Sequence, residues 1–265
     1  MPLRLNPTFR DRLAGADRAL AGVWLCSGSP LVAEICAGSG LDWTLVDMEH
    51  APNGLESVLA QLQAVAAYPV TPVVRVPAND AVTIKQVLDL GAQNVLVPMV
   101  NSAADAEAAV AAVRYPPRGR RGVGSALGRS ARWNRVTAYL ADADAHVSLF
   151  VQVETADAVA AAGEIASVDG IDGVFVGPSD LAASMGLLGE QTHPDVLTAV
   201  HAAFDAVRGA GKPVGVNAFD PAVADAYLRE GASFVLVGAD VGLLARGCET
   251  LAARFVPGPS ATGHD

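Results

Sequence analysis

Residues 43–99 read WTLVDMEHAPNGLESVLAQLQAVAAYPVTPVVRVPANDAVTIKQVLDLGAQNVLVPM. Three short apolar runs, Trp43 to Glu49, Pro72 to Val76 and Asn94 to Met99, are separated there by segments at about 55–67 and 80–90 whose apolar residues recur at helical spacing. Strand, helix, strand, helix, strand is the rhythm of βα units with parallel neighbouring strands. Outward from this stretch the rhythm repeats. A strand at Gly22 to Cys26 and a helix at about 30–38 precede it; strands at Ser148 to Glu154, Gly173 to Gly177, Pro213 to Asn217 and Phe234 to Gly238 follow it. Helices are expected at about 102–113, 155–166, 194–210, 220–230 and 240–253. Eight such units in one chain predict a single-domain α/β fold, the TIM (β/α)8 barrel. An open, doubly wound sheet is disfavoured because no glycine-rich turn follows the first strand, and no strand leads into Gly119-Arg120-Arg121-Gly122-Val123-Gly124. Two segments fall outside the repeat: an Arg-rich inserted loop at about 114–146, and residues 257–265, whose Pro, Gly, Ser and Thr predict a flexible tail.

Composition bounds the class. Of 265 residues, 51% are hydrophobic and 17% charged, enough apolar surface for a large core, which excludes wholesale disorder. The mean hydropathy of +0.33 comes from scattered Ala and Val, and no uninterrupted apolar run is long enough to predict a membrane span. Met1 to Leu13 lacks the apolar stretch of a secretory signal, so a cytoplasmic protein is expected. A net charge of −10 argues against nucleic acid as a main partner. Cys26, Cys36 and Cys248 form no Cys-x-x-Cys pair and read as buried thiols. Only Lys85 and Lys212 are lysines, which limits any lysine-based mechanism to two candidates.

In such a barrel the site is built on the C-terminal strand ends, and four of these turn polar after an apolar run: Val46-Asp47-Met48-Glu49-His50, Val74-Arg75, Val151-Gln152-Val153-Glu154 and Gly177-Pro178-Ser179-Asp180. Glu154 and Asp180 come from adjacent strands, which run about 4.8 Å apart, so both carboxylates can reach one cation of the Mg²⁺ or Mn²⁺ type. The alternative is that each caps a helix or pairs on the surface. Parity places Asp47 and Glu49 on one face, and His50 beside them has the chemistry of a general base or of a group that activates metal-bound water. Arg75, inside an apolar strand, needs an anion: either Asp47 or Glu49, or a substrate oxyanion. The seven arginines of the insertion read either as subunit contact or solvated surface, or as a field that attracts an anionic substrate.

Taken in order, Leu45 to Pro52, Val73-Val74-Arg75, Leu96 to Val100, Arg114-Tyr115-Pro116-Pro117, Arg121-Gly122-Val123-Gly124, Gln152-Val153-Glu154-Thr155 and Val176 to Leu181 resemble the metal-dependent class II pyruvate aldolases of the HpcH/HpaI family. Within it the pattern is most similar to the 4-hydroxy-2-oxoheptanedioate aldolases, with 2-dehydro-3-deoxyglucarate aldolase and macrophomate synthase as further relatives. The resemblance covers about residues 20–253. It implies a homohexamer with exchanged C-terminal helices that cleaves 4-hydroxy-2-oxo acids reversibly to pyruvate and an aldehyde, in the breakdown of aromatic compounds. It implies that Glu154 and Asp180 hold Mg²⁺, Mn²⁺ or Co²⁺, and that pyruvate chelates the ion. Arg75 then bonds the keto oxygen, and His50, oriented by Asp47, works with a metal-bound water as the acid/base pair. Gln152 and the amides around Ser179 and Asp180 position the carboxylate, and Trp24 and Asn217 complete the substrate-binding set. The partners are thus a 2-oxo acid and an aldehyde, with neither nucleic acid nor membrane. Neither lysine falls at a strand's C-terminal end, which closes a Schiff-base route.

One departure stands where the pattern has an apolar residue after the Gly-Val pair of the seventh strand: here it is Asn217, which raises hydroxypyruvate as a donor. A CoA-thioester lyase of the malyl- or citryl-CoA type is the alternative enzyme on this barrel, and a non-catalytic barrel the alternative outside enzymology.

Overall fold

The computed structural model describes residues 3–256, so the expected tail at 257–265 lies outside the described residues. The strands are β1 (Leu20–Leu25), β2 (Trp43–Asp47), β3 (Thr71–Arg75), β4 (Asn94–Val97), β5 (Ser148–Val153), β6 (Gly173–Val176), β7 (Val214–Asn217) and β8 (Phe234–Ala239). All pair in parallel with their sequence neighbours, and β8 closes on β1. The helices are α1 (Phe9–Ala14), α2 (Pro30–Ala37), α3 (Leu55–Ala64), α4 (Ala81–Asp89), α5 (Ala103–Val113), α6 (Ala156–Ala160), α7 (Ala162–Ser167), α8 (Pro178–Ser184), α9 (Pro194–Gly209), α10 (Pro221–Arg229) and α11 (Asp240–Phe255). The expected single-domain barrel is observed.

Local chemistry sets the element ends. Ser29, Asp80, Ser102, Thr155 and Asp220 each accept a backbone N–H at the start of α2, α4, α5, α6 and α10, satisfying donors that the helix itself leaves free. Two helices were not expected, α1 and α8. The helix expected at 155–166 is instead two, parted at Ala161 (ψ 3°) just before Gly163, a weak helix former.

The core has two compartments. Aliphatic residues of the strands' outer faces pack against the helices, while the barrel interior mixes aromatic rings, Phe9, Trp24, Trp43, Phe150, Phe175 and Phe234, with aliphatic residues such as Leu45, Val73 and Leu96. Glycines make room for these rings. A Cβ on Gly215 would stand 2.1 Å from Phe234, and one on Gly22 2.5 Å from the Trp43 ring. Phe9, carried by α1, enters from the N-terminal end and sits 4.9, 5.2 and 5.4 Å from the rings of Trp43, Phe150 and Phe234. Burying such a ring contributes about 1.5–3 kcal/mol, and here it also plugs the barrel's foot.

The insertion runs from the end of α5 to the start of β5, with a short 3-10 turn at Ala143–His146 and a small core of Ala131, Val136, Tyr139 and Ala143. It packs against the C-terminal end of α4, where the Arg129 N–H donates to the Asp89 carbonyl (2.8 Å), and thus lies at the N-terminal face of the barrel. Of the two readings of its arginines, this position within one chain favours subunit contact or solvated surface over a field that draws substrate to the mouth. The cysteines also differ from expectation: Cys26 and Cys36 are half-buried and Cys248 is exposed, all as free thiols.

Candidate active site at the C-terminal mouth

β2 and β3 pair Asp47 directly with Arg75, the last residue of each strand. Arg75 is buried and donates from Nε and Nη2 to both Asp47 oxygens, at 2.8 and 2.9 Å, a planar bidentate clasp. Its Nη1 lies 2.7 Å from Glu49 Oε2 and 3.5 Å from Gln152 Oε1. The guanidinium also stacks over the Trp24 ring at 4.4 Å, and the Trp24 indole N–H donates to Asn217 Oδ1 at 2.8 Å. The question of the arginine's partner is therefore answered by both acids, with Trp24 as a floor.

β2 ends at Asp47, so Glu49 reaches Arg75 from the following loop and not from a shared strand face. That loop folds back on Asp47, whose oxygens accept the backbone N–H of Glu49 (3.0 Å) and of His50 (3.3 Å). Asp47 thus holds the main chain of His50; the exposed imidazole has its Nε2 3.9 Å from Glu49 Oε2. Because both Asp47 oxygens are engaged by Arg75, the nearer carboxylate to the ring is Glu49.

On the far side, Glu154 follows β5 and is buried. Its Oε1 accepts the Met99 N–H at 2.7 Å, and its Oε2 accepts from Gln152 Nε2. Asp180 lies exposed in the first turn of α8, beside Ser179. Burial, added to by the negative charges of Glu49 and Asp180, pushes the Glu154 carboxyl up to about 7. Burial likewise raises Glu49, against the opposing pull of Arg75. Three carboxylates therefore share one field at the mouth, with Glu154 and Asp180 farther from the arginine's clasp. Among the described residues no group of three or more His, Cys, Asp or Glu is placed to enclose an ion.

Four contributors escaped sequence reading. Gly177 is close-packed: a Cβ there would stand 2.8 Å from Glu154 Oε2 and 2.9 Å from Gln152 Nε2. Met99 adopts φ 54°, which aims its N–H at Glu154. Asn53 is buried and donates to the Leu25 and Asp47 carbonyls (3.2 and 2.7 Å) while accepting from Ser57 Oγ and Gln61 Nε2, which fixes the loop that carries His50. Asp240 accepts the N–H groups of Cys26 and Ser27, anchoring α11 to the end of β1. Only Asn53 carried a signal, an amide directly after His50-Ala51-Pro52. Neither lysine is at the mouth: Lys85 lies inside α4, and Lys212 Nζ donates to the Ile171 carbonyl at the opposite end. Burial, with Asp47 and Asp240, pushes the Cys26 thiol up to about 12, so it is no nucleophile.

A closed parallel barrel that gathers acids, a clamped arginine and an amide at its C-terminal mouth has the build of a (β/α)8 enzyme. The chain belongs to the HpcH/HpaI aldolase/citrate lyase family, whose model matches residues 20–247, and it is an aldolase of that family. The 4-hydroxy-2-oxo-heptane-1,7-dioate aldolase of Salmonella dublin is 53% identical over 251 residues, 95% of each chain. Among solved structures, an HpcH/HpaI aldolase/citrate lyase family protein from Burkholderia cenocepacia J2315 superposes with a TM-score of 0.90 at 41% identity, covering 94% of this chain and 99% of that one. An HpcH/HpaI aldolase from Desulfitobacterium hafniense DCB-2 gives 0.85 at 28% identity, covering 96% and 99%. No described helix is long and apolar enough to cross a membrane.

Proposed function

We propose that this chain is a divalent-cation-dependent aldolase that cleaves 4-hydroxy-2-oxo acids, of the kind named for its Salmonella dublin relative, to pyruvate and an aldehyde, and runs the reverse addition. The observation that supports the reading is a buried Glu154 that feels the charges of Asp180 and Glu49, at the same strand ends as the Arg75–Asp47 clasp. The pair fits a cation: Glu154 is buried where neighbouring acids resist its ionisation, an arrangement that a positive charge relieves. Glu154 and Asp180 would hold Mg²⁺, Mn²⁺ or Co²⁺, and the bound ion supplies a Lewis acid that polarises the substrate's oxygens.

The chain's own groups do the rest. Arg75, held flat by Asp47, donates an N–H to the keto oxygen, which gains charge as the C3–C4 bond breaks and its electron pair moves into the enolate. His50 Nε2 takes the C4 hydroxyl proton as the aldehyde forms, with Glu49 beside it to stabilise the imidazolium. The proton held on His50 then passes to C3, directly or through water, which completes pyruvate and restores the neutral imidazole. Gln152 and the N–H groups of Ser179 and Asp180 orient the substrate carboxylate. Trp24 walls the methyl group. The Asn217 side chain gives its oxygen to Trp24, and its amide N–H groups make no hydrogen bond among the described residues, which supports acceptance of a hydroxymethyl group and thus of hydroxypyruvate.

The assembly proposed is a homohexamer in the cytoplasm. Leu243, Leu244, Leu251 and Phe255 of α11, and Leu31 and Ile35 of α2, are exposed in the single chain, an apolar surface that exchange of C-terminal helices would cover. The test is methyl-proton exchange of pyruvate in D₂O, followed by NMR with cation-stripped protein and then with Mg²⁺, Mn²⁺ or Co²⁺ added. Exchange restored by the cation and lost in Arg75→Ala is expected; exchange that is indifferent to cation, or absent with all three, refutes the proposal.

A further inference from the structure

The insertion holds cations that the reaction leaves idle. Of its seven arginines, Arg114, Arg118 and Arg121 have carboxylates within reach, at 3.0 Å (Asp169), 2.7 Å (Asp144) and 3.7 Å (Asp89). Arg120 and Arg135 are exposed to solvent. Arg129 and Arg132 are half-buried, and among the described residues neither forms an ion pair with Asp or Glu.

These two guanidinium groups converge. Their Nη1 atoms lie 2.8 and 2.9 Å from the point where a Cβ on Gly91 would stand, so one small region holds two positive charges. Each is tethered by one backbone carbonyl: Arg129 Nη1 donates to Leu90 O at 3.1 Å, and Arg132 Nη1 to Arg129 O. Their other N–H groups make no hydrogen bond to the described residues. Burial, joined for Arg129 by repulsion from Arg132, lowers the proton affinity of both groups. They line a cavity of about 390 Å³ at the foot of the barrel, which Arg12 of α1 and Gln93 also border. Two half-buried like charges without an acid are costly, and the guanidinium fork matches the oxygens of a carboxylate or phosphate.

We propose that this cavity is a binding site for a small doubly charged oxyanion, a phosphate or a short dicarboxylate, held between Arg129 and Arg132 with Arg12 at its rim. The anion bridges the insertion to the end of α4 and to α1. It lies at the barrel end opposite Glu154, so it braces the N-terminal face and takes no part in turnover.

The test uses the full chain stripped of divalent cations, with inorganic phosphate, succinate or sodium chloride at equal ionic strength, followed by thermal unfolding and by titration calorimetry. Phosphate or succinate raises Tm by about 2–4 °C over chloride, and Arg132→Gln binds the same anion at least tenfold more weakly and loses the rise. Arg12→Gln weakens binding in the same direction and keeps the test open should Arg132→Gln fail to fold for want of its tether to the Arg129 carbonyl. Pyruvate proton exchange in the cation-loaded Arg132→Gln and Arg12→Gln proteins stays at the wild-type rate, which separates this site from the catalytic proposal. Equal Tm in all three salts overturns the inference, as does undiminished anion binding by both variants, which would move the anion elsewhere.

Discussion

Gly177→Ala tests whether the mouth is as tightly built around Glu154 as its contacts require. The backbone there (φ −101°, ψ 91°) suits any residue, so the change acts through its methyl group alone. That methyl would stand 2.8 Å from Glu154 Oε2, 2.9 Å from Gln152 Nε2 and 3.1 Å from Glu154 Cβ. Comfortable contacts between such atoms are about 3.5 Å or more, so the Glu154 carboxylate must retreat by roughly half an ångström to one ångström. Overpacking of this size costs about 1–3 kcal/mol, which a barrel of this core survives, whereas a displacement near 1 Å at a reacting centre costs up to about 100-fold in rate. The folded variant should show kcat/KM for the aldol cleavage lower by about 10- to 100-fold, with a higher cation concentration at half-maximal rate. Gly209→Ala is the control, because a Cβ there meets nothing within 4 Å. Gly177→Ala protein with activity and cation dependence within twofold of wild type would show that Glu154 does not need this geometry.

Gly215→Ala places a Cβ 2.1 Å from the Phe234 ring and should lower Tm sharply or abolish folding, with partial recovery in the double variant that also carries Phe234→Leu; circular dichroism melts decide it. Arg75→Lys keeps the charge but loses the bidentate clasp to Asp47, and kcat should fall about 100- to 1,000-fold while the far-ultraviolet spectrum is unchanged. The raised Glu154 group makes a signed prediction for cation-free protein. Its folded value near 7 lies above the ordinary 4.5, so the folded state keeps its proton longer, and stability falls as pH rises between those values. Glu154→Gln should flatten that part of the pH profile and stabilise the cation-free chain at pH 8, by on the order of 3 kcal/mol at most, while abolishing turnover; an unchanged denaturation profile would refute the assignment of burial strain to this group.

The barrel was readable because each strand is a short apolar run followed by a helical segment, and in four of them a polar stop marked residues such as Asp47, Arg75 and Glu154 as candidates for the mouth. What failed to show depends on geometry beyond the strands. The six residues of α1 carry one buried side chain, Phe9, too little for a periodic signal. The segment that opens α8 follows β6 with a single residue between them, and its Pro178 reads equally well as a turn. The reach of Glu49 and the direction of the His50 ring are set by a loop that folds onto Asp47, and loop paths are not periodic. The location of the insertion, by contrast, was available from connectivity: a segment between a helix and the next strand of a (β/α)8 barrel lies at the end away from the catalytic mouth.

Phe9 has a bearing on how the chain is born. Its ring rests against Phe234, in the last strand, so the newly made amino terminus has no complete socket until β8 has left the ribosome. At translation rates of about 5–20 residues per second this interval is roughly 10–45 s. During it an apolar ring and an open barrel foot are both in solvent, and a chaperone that holds the nascent amino terminus would act on the step that seals the barrel.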